Sequence, residues 1–219
     1  MSNLVKSSMA QLEFTKEVKE WLEDVLKQVD PKIKLSLKNP WGALKLLDKL
    51  NLEKESIQGQ IETGVKWDVP IILGKGSVIR FPTRIDGPVI IGENTVIGPF
   101  AYLRGPVIIG DDCKIGSSEI KNSILMDGSC CAHFNYVGDS IIGKKCNLGA
   151  GTKLANFRFD GEIIKISIGK DSFSTGLRKL GAILESNSQT GCNSVLNPGT
   201  YVAKKGKVLP GAVVSGYIE

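Results

Sequence analysis

The stretch from Leu73 to Ile115 reads LGKGSVIRFPTRIDGPVIIGENTVIGPFAYLRGPVIIGDDCKI. It carries an aliphatic residue at every sixth position: Leu73, Ile79, Ile85, Ile91, Ile97, Leu103, Ile109 and Ile115. A period of six fits neither the 3.6-residue turn of an α-helix nor plain alternation, but it fits short strands of about four residues separated by tight turns. Glycine after several of these residues supplies the backbone conformations that such turns need. The stretch therefore predicts a solenoid with three strands and about 18 residues in each coil.

The same period returns in the rest of the chain. Its later members are Cys131 and Val137, then Ile142, Leu148 and Leu154, and finally Leu196, Val202, Val208 and Val214. Each slip between these phases predicts a bulge or a loop, and the largest break, after Asn156, predicts an extruded loop over residues 157–165. We expect an all-β solenoid domain over residues 69–219.

The first 68 residues have a different pattern, which is typical of amphipathic helices. Apolar residues recur at helical spacing at Phe14, Val18, Trp21, Leu22, Val25 and Val29. A second helix is predicted to begin at Asn39-Pro40, because asparagine caps free amides and proline suits the first helical turn. It carries Trp41, Leu44, Leu47 and Leu50. We expect residues 1–68 to form a small helical N-terminal cap over the open end of the solenoid, and a pair of partner-docking helices is the alternative.

Composition excludes several functional classes. The 219 residues include 28 Lys and Arg against 23 Asp and Glu, a net charge of +5, and no run is basic enough to predict a nucleic-acid or membrane patch. A small anion is the expected partner. No apolar run approaches the roughly 18 residues of a membrane span and no signal-peptide pattern opens the chain, so we expect a soluble, cytoplasmic protein.

Cysteine and histidine usage argues against a metal site. The 5 cysteines form an odd set without a CxxC motif, which favours free thiols over a disulfide framework or a zinc site. A zinc-dependent carbonic anhydrase on this type of solenoid needs three histidines, and the chain has 1. No metal is expected.

The middle coils are similar to a known enzyme family. The segments that carry the resemblance are IGPFAYLR (97–104), EIKNS (119–123), HFNYVGDSIIG (133–143) and NLGAGTKLAN (147–156). They closely resemble the acetyltransferase half of the bifunctional glucosamine-1-phosphate N-acetyltransferase/N-acetylglucosamine-1-phosphate uridylyltransferase family. NFRFD (156–160) and GLRKLGA (176–182) are closest to its archaeal-type sugar-phosphate nucleotidylyltransferase branch.

The resemblance implies a hexapeptide-repeat left-handed parallel β-helix that assembles as a homotrimer. It also implies acetyl transfer from acetyl-CoA to an amino-sugar phosphate, most simply glucosamine 1-phosphate, on the route to UDP-N-acetylglucosamine. The extruded loop crosses to a neighbouring subunit in such proteins. The glycine-rich LxxGxGTR-type loop of the uridylyltransferase domain has no counterpart in the sequence, so we expect no nucleotidyl transfer.

The resemblance also assigns roles to individual residues. His133, the sole histidine, matches the catalytic base, and a neutral imidazole suits that role near neutral pH. Arg104 and Lys121 match the family's phosphate ligands, since cations bind phosphate oxygens. Tyr136 and Asn147 match its sugar-binding positions, where a phenol and an amide can form hydrogen bonds with hydroxyls. Glu119, two residues before Lys121, is expected to orient the base or the amine. Ala150, Asn156 and Lys165 are expected to contact acetyl-CoA.

Two departures from the family pattern bear on the acceptor. Glu162 stands where relatives often carry a lysine, and Asn135 where serine or threonine is common. Three other cations are candidates to replace that lysine or to bind the coenzyme phosphates: Lys165, Arg178 and Lys179. The alternative is that they are ordinary surface residues.

Two other functions remain open on the sequence. One is an acyltransferase for another sugar. The other is a noncatalytic trimeric scaffold or regulatory subunit that assembles with a separate nucleotidylyltransferase through the helical cap. Retention of His133, Arg104, Lys121 and Asn156 together favours an enzyme, because a scaffold needs none of them.

Overall fold

The computed structural model of the chain describes residues 3–219, and the first two residues of the predicted cap lie outside this range. The chain winds into a parallel β-solenoid of about nine turns, which confirms the predicted hexapeptide-repeat left-handed β-helix. Within the described range, 25 short strands, labelled β1 to β25 in chain order, accompany two α-helices. Most coils contribute one strand to each of three faces.

The first face is a nine-stranded parallel sheet. Its strands are β1 (Ser56–Ile57), β4 (Ile71–Leu73), β7 (Val89–Ile91), β10 (Val107–Ile109), β12 (Ile124–Leu125), β14 (Ile141–Ile142), β19 (Ala182–Leu184), β22 (Thr200–Val202) and β25 (Tyr217–Ile218).

The second and third faces are joined, because two long strands, β11 (Lys114–Lys121) and β13 (Cys130–Gly138), run across the corner between them. The second face also contains β2 (Gln60–Ile61), β5 (Val78–Ile79), β8 (Val96–Ile97), β15 (Asn147–Leu148), β20 (Gln189–Thr190) and β23 (Lys207–Val208). The third also contains β3 (Lys66–Trp67), β6 (Thr83–Asp86), β9 (Ala101–Arg104), β16 (Lys153–Leu154), β21 (Val195–Leu196) and β24 (Val213–Val214).

The residues of the six-residue period fill the interior of the solenoid. All eight aliphatic residues that define the period from Leu73 to Ile115 are 0% exposed. The predicted slip after Ile115 is confirmed as an irregularity in the pairing of β11 with β13, between Ser117 and Glu119. This slip matters for the site, because it lets one long strand serve two faces.

The first face is apolar on its outer side as well. Most of its strands have one residue that points outward, away from the interior of the solenoid. These outward residues are buried against the helical segment and form a second cluster with it. They are Ile72, Ile90, Ile108, Ile124, Ile141, Ile183 and Tyr201. Helix α1 (Asn3–Leu26) packs on this row through Phe14, Val18 and Leu22. At its C-terminal half the Nε1 of Trp21 donates a hydrogen bond to Asp127 at 2.7 Å. The helix therefore covers a side of the solenoid, whereas we had expected it over the open end.

Helix α2 (Gly42–Leu47) follows the predicted start signal. The side-chain oxygen of Asn39 accepts a hydrogen bond from the backbone amide of Gly42 at 2.9 Å, so Asn39 caps the turn that leads into this helix. Trp41, directly before the helix, makes no side-chain cap. Trp41, Leu44 and Leu47 are buried in the cluster outside the first face. Val29, predicted for the first helix, lies beyond its end and is 38% exposed.

The solenoid begins earlier than the boundary predicted at residue 69. Strands β1, β2 and β3 pair in parallel with β4, β5 and β6, so residues 56–67 already form a coil. Ile61 and Trp67 lie in phase with Leu73, and both pack against the interior cluster. The sequence pattern missed this coil because an indole takes the place of the aliphatic side chain.

The predicted break in the period is an insertion between β16 and β19. It contains an antiparallel hairpin, β17 (Lys165–Ile168) with β18 (Asp171–Ser174), preceded by an irregular loop. Ile164, Ile166 and Ile168 of the insertion are buried in the cluster outside the first face. In the part of the chain that the structure describes, no helix is both long enough and apolar enough to cross a membrane.

Candidate active site

Polar side chains accumulate on the third face, where β9, β11 and β13 lie side by side. Lys121 is in register with Arg104, and Glu119 is in register with Tyr136. Neighbouring parallel strands lie about 4.8 Å apart, so these four side chains occupy adjacent positions on the same surface. We call Arg104, Glu119, Lys121, Tyr136, Asp139 and Asn156 the third-face patch.

Arg104 and Glu119 form the first part of this patch. The Nη1 of Arg104 donates to Oε1 of Glu119 at 2.7 Å, and this hydrogen bond raises the pKa of the guanidinium. The Cζ of Arg104 also lies 5.6 Å from the ring centroid of Tyr102. Both contacts fix the direction of a side chain that is still 44% exposed, so it can contact a ligand.

Asp139 connects the other members of the patch. Its carboxylate accepts a hydrogen bond from Nζ of Lys121 at 2.8 Å, one from Nδ2 of Asn122 at 2.8 Å and one from Nδ2 of Asn156. The residue is 3% exposed and adopts the left-handed conformation with φ +47°. Asp139 thus links a predicted phosphate ligand, Lys121, to a predicted coenzyme contact, Asn156. Sequence reasoning assigned it no role, although it lies within the matched segment 133–143.

Tyr136 and Asn156 close over a glycine. The hydroxyl of Tyr136 donates to Oδ1 of Asn156 at 3.3 Å. A Cβ at Gly138 would lie 2.7 Å from both the Tyr136 hydroxyl and Nδ2 of Asn156, so only glycine leaves room for this contact. Burial raises the pKa of Tyr136, so its phenol remains a neutral hydrogen-bond donor at neutral pH.

His133 lies where β13 turns the corner from the second face to the third. Its side chain is exposed, and the imidazole makes no hydrogen bond to the described residues. The backbone is held firmly, since its carbonyl accepts from the amide of Gly151 at 2.8 Å. Ala150, one residue earlier on the next coil, is therefore adjacent to His133 at this corner.

Asn135, the first departure from the family pattern, is a buried brace for this corner. It is 3% exposed, its Nδ2 donates to the carbonyl of Gly149 at 2.7 Å, and its Oδ1 accepts from the amide of His133 at 3.3 Å. The amide therefore supports the backbone beside His133 from inside the coil.

Two predicted residues lie elsewhere. Asn147 is on β15 and is exposed on the second face. Lys165 is on the hairpin that packs outside the first face. The chain therefore presents Arg104, Glu119, Lys121, Tyr136 and Asn156 together, with His133 and Ala150 at the adjoining corner. Asn147 lies apart from this group, on the second face.

Arg178 stabilises the conformation of the loop after Asn156. The Nε of Arg178 donates to the carbonyl of Gly161 at 2.9 Å, and Arg158 pairs with Asp160. Glu162, the second departure, is exposed in this loop, and its amide donates to Asp160 at 3.1 Å. Phe159 at the tip is fully exposed.

The chemistry available on this surface is ionic and hydrogen bonding. Among residues 3–219 no group of three or more histidine, cysteine or acidic side chains is arranged to hold a metal ion. The third-face patch offers two cations, a phenol and an amide, which suit a phosphorylated polyol, and the adjoining corner offers one imidazole for proton transfer.

Comparison with known sequences identifies related proteins. The family described as the GMPPB C-terminal domain matches residues 85–172. A bifunctional sugar-1-phosphate nucleotidylyltransferase/acetyltransferase of Sulfurisphaera tokodaii is 39% identical over 185 residues, which are 83% of this chain and 45% of the relative. The bifunctional protein GlmU of Methanococcus maripaludis strain C7 is 41% identical over 226 residues, 100% of this chain and 54% of the relative.

The chain thus spans about half the length of the curated relatives it matches. Among solved structures, a hexapeptide transferase family protein from Anaplasma phagocytophilum is similar at 17% identity with a TM-score of 0.35. That similarity covers 76% of this chain and 75% of the other.

Proposed function

The chain is homologous to the acetyltransferase half of archaeal bifunctional sugar-1-phosphate nucleotidylyltransferase/acetyltransferases, and from this relationship we propose that it is an acetyl-CoA-dependent N-acetyltransferase. The acceptor is an amino-sugar phosphate, most simply glucosamine 1-phosphate. The product is an N-acetylamino-sugar phosphate, the type of compound from which a nucleotide sugar is made.

The third-face patch is the observation that carries this proposal. Five of the residues predicted for substrate and coenzyme lie on one surface, and a hydrogen-bonded chain through Asp139 connects Lys121, Asn156 and Tyr136. Structural stability alone does not require this set, because Arg104, Glu119 and Lys121 extend from the outer side of the coils and contribute nothing to the apolar interior.

In the proposed reaction, Arg104 and Lys121 bind the phosphate of the acceptor, and Tyr136 binds a hydroxyl. His133 accepts the proton that the sugar amine loses while its nitrogen forms a bond to the thioester carbonyl carbon. The carbon–sulfur bond then breaks, and the protonated imidazole returns the proton to the leaving thiolate. Asn156, fixed by Asp139, and the backbone near Ala150 position the thioester.

We place this site between copies in a homotrimer. Asn147 on the second face and the third-face patch point away from each other in one protomer, so a single substrate reaches both only where two copies meet. Phe81, Phe100 and Phe134 support this, because they lie along the corner between the two faces and are 54%, 66% and 73% exposed. Exposed apolar side chains in a row are typical of a protein interface.

Release of coenzyme A thiol from acetyl-CoA tests the proposed activity. We expect the purified chain to release thiol with glucosamine 1-phosphate, at a rate well above that with unphosphorylated glucosamine or without an acceptor. Other amino-sugar phosphates in the same panel identify the preferred acceptor. Absence of release with every acceptor overturns the proposed enzyme and favours the scaffold.

A further inference from the structure

A cleft adjoins the third-face patch at the corner where the third face turns into the first. Its volume is about 370 Å³, within the range of small-molecule sites. The side chains that matter in its lining are Lys121, Asn122, Asp139, Lys179, Asp48 and Leu177. The insertion after Asn156 thus contributes a second lysine beside Lys121.

The cations near this cleft differ in their partners. Lys121 is paired with Asp139 at 2.8 Å, and Arg104 is paired with Glu119 at 2.7 Å. Lys179 is exposed and forms no ion pair with any described residue, including Asp48, which also lines the cleft. Glu119 and Asp139 thus occupy the first two cations. With Asp48 in the lining the cleft has no net charge, but the Lys179 ammonium is the one that is free to pair with a phosphate.

The cleft also contains an acceptor that lacks a donor. The Nδ2 of Asn122 donates to Oδ1 of Asp139 at 2.8 Å, while Oδ1 of Asn122 is buried and has no partner among the described residues. Buried polar atoms are nearly always hydrogen bonded, so this oxygen is suited to a ligand hydroxyl. Ammonium groups beside a free acceptor complement a molecule that carries both phosphate and hydroxyl groups.

The backbone around Lys179 is anchored on both sides. The amide of Leu180 donates to the carbonyl of Asn156 at 3.0 Å, and the Leu180 side chain is 0% exposed. Lys179 itself forms a bridge with Phe157. The preceding residue, Arg178, is directed to the loop at Gly161 instead. The structure therefore distinguishes two adjacent cations that the sequence left equivalent.

We propose that Lys179 binds the phosphate of the acceptor together with Lys121, and that Asn122 accepts a hydrogen bond from one of its hydroxyls. This inference rests on the proposed function and adds to it a residue that selects phosphorylated over unphosphorylated acceptors. Lys179 is the main source of that selectivity, because its ammonium forms no ion pair with the described residues whereas Lys121 and Arg104 are each paired with a carboxylate.

Binding and kinetics of Lys179→Ala test the inference, with Lys170→Ala at the exposed hairpin turn as the matched control. The dissociation constant of glucosamine 1-phosphate is measured by calorimetry without acetyl-CoA, and KM and kcat are measured with it. We expect Lys179→Ala to raise the dissociation constant and KM roughly tenfold or more. The kcat, the KM for acetyl-CoA and the KM for glucosamine stay within about twofold, and Lys179→Arg restores part of the loss.

The outcomes separate this inference from the proposed function. An active wild-type protein whose Lys179→Ala variant keeps the same dissociation constant and KM overturns the role of Lys179 alone. Tight, Lys179-dependent binding without acetyl transfer supports the site and overturns the proposed activity. A wild-type protein that binds no amino-sugar phosphate overturns both.

Discussion

His133 is the residue on which the proposed chemistry depends. Loss of a positioned general base lowers a rate by about 10² to 10⁴, so His133→Ala is expected to reduce kcat by that factor. Acceptor affinity changes little, because the proposed phosphate ligands lie on the third face and not at the corner that carries His133. Lys121→Ala is the contrasting variant and raises KM instead. Wild-type kcat in His133→Ala shows that the imidazole has no part in the reaction.

Glu185 makes stability depend on pH. The residue is 3% exposed, and its carboxylate accepts hydrogen bonds from Tyr201 at 2.6 Å and from the amide of Lys204 at 2.9 Å. Burial raises its pKa above the ordinary value of 4.5. A raised folded-state pKa favours the protonated form, so this contribution to stability is complete below the unfolded pKa and is lost as the pH rises through the folded one.

The test compares wild type with Glu185→Gln, which does not titrate. Urea unfolding between about pH 4 and about pH 8 gives both free energies of unfolding. The wild-type value minus the variant value is expected to fall as the pH rises. A difference that stays constant, or that grows with pH, contradicts the raised pKa.

At the level of single residues, the sequence predicted a set of site residues but not the contacts that hold them in place. Arg104, Lys121, Tyr136 and Asn156 followed from matched segments, and the structure places them on one surface. The role of Asp139 was not predictable, since it depends on a left-handed turn that buries the carboxylate between side chains from three coils. Such contacts join residues 17 and 18 positions apart, beyond any local pattern.

At the level of elements, helix α1 stabilises the solenoid from the side. Leu22 is 0% exposed in the cluster outside the first face. Leu22→Ala is expected to lower the free energy of unfolding by about 2 to 5 kcal/mol, because a buried leucine leaves a cavity when truncated. Thermal or urea unfolding measures this loss.

The matched control for Leu22→Ala is Glu20→Ala. Glu20 is exposed and forms only a loose pair with Lys16 at 3.7 Å, so its loss changes stability by less than about 1 kcal/mol. Kinetic constants of Leu22→Ala, measured well below its unfolding temperature, stay at wild-type values because α1 lies on the first face. Unchanged stability in Leu22→Ala argues that the helix does not pack where the structure places it.

The sequence also contains a pattern, separate from the six-residue period, that predicts the position of α1 on the side of the solenoid. All three residues are apolar in Ile71-Ile72-Leu73 and in Val107-Ile108-Ile109, although only the first and third residue of each strand face the interior of the solenoid. A strand that is apolar on both sides is buried on both sides. The extra isoleucine in each coil therefore predicts a covered first face, and the amphipathic helix is the element that covers it.

At the level of the whole molecule, light scattering tests the trimer. We expect a mass about three times 23.6 kDa at micromolar concentration, since flat faces of a three-sided prism pair well around a threefold axis. Phe134→Ser, at the exposed corner, is expected to weaken assembly without unfolding the coil, because the phenyl ring is 73% exposed. If the protein is strictly monomeric in this measurement, the proposed site between copies cannot form.

Subunit mixing tests whether acetyl transfer occurs where the third face of one copy meets the second face of another. Lys121→Ala damages the third face and Asn147→Ala the second, and each homotrimer is expected to be impaired at low acceptor concentration. In randomly mixed trimers some sites pair the intact third face of one variant with the intact second face of the other. We expect recovery to about one quarter of the wild-type rate after equal mixing, whereas no recovery after verified subunit exchange would show that the site does not lie between copies.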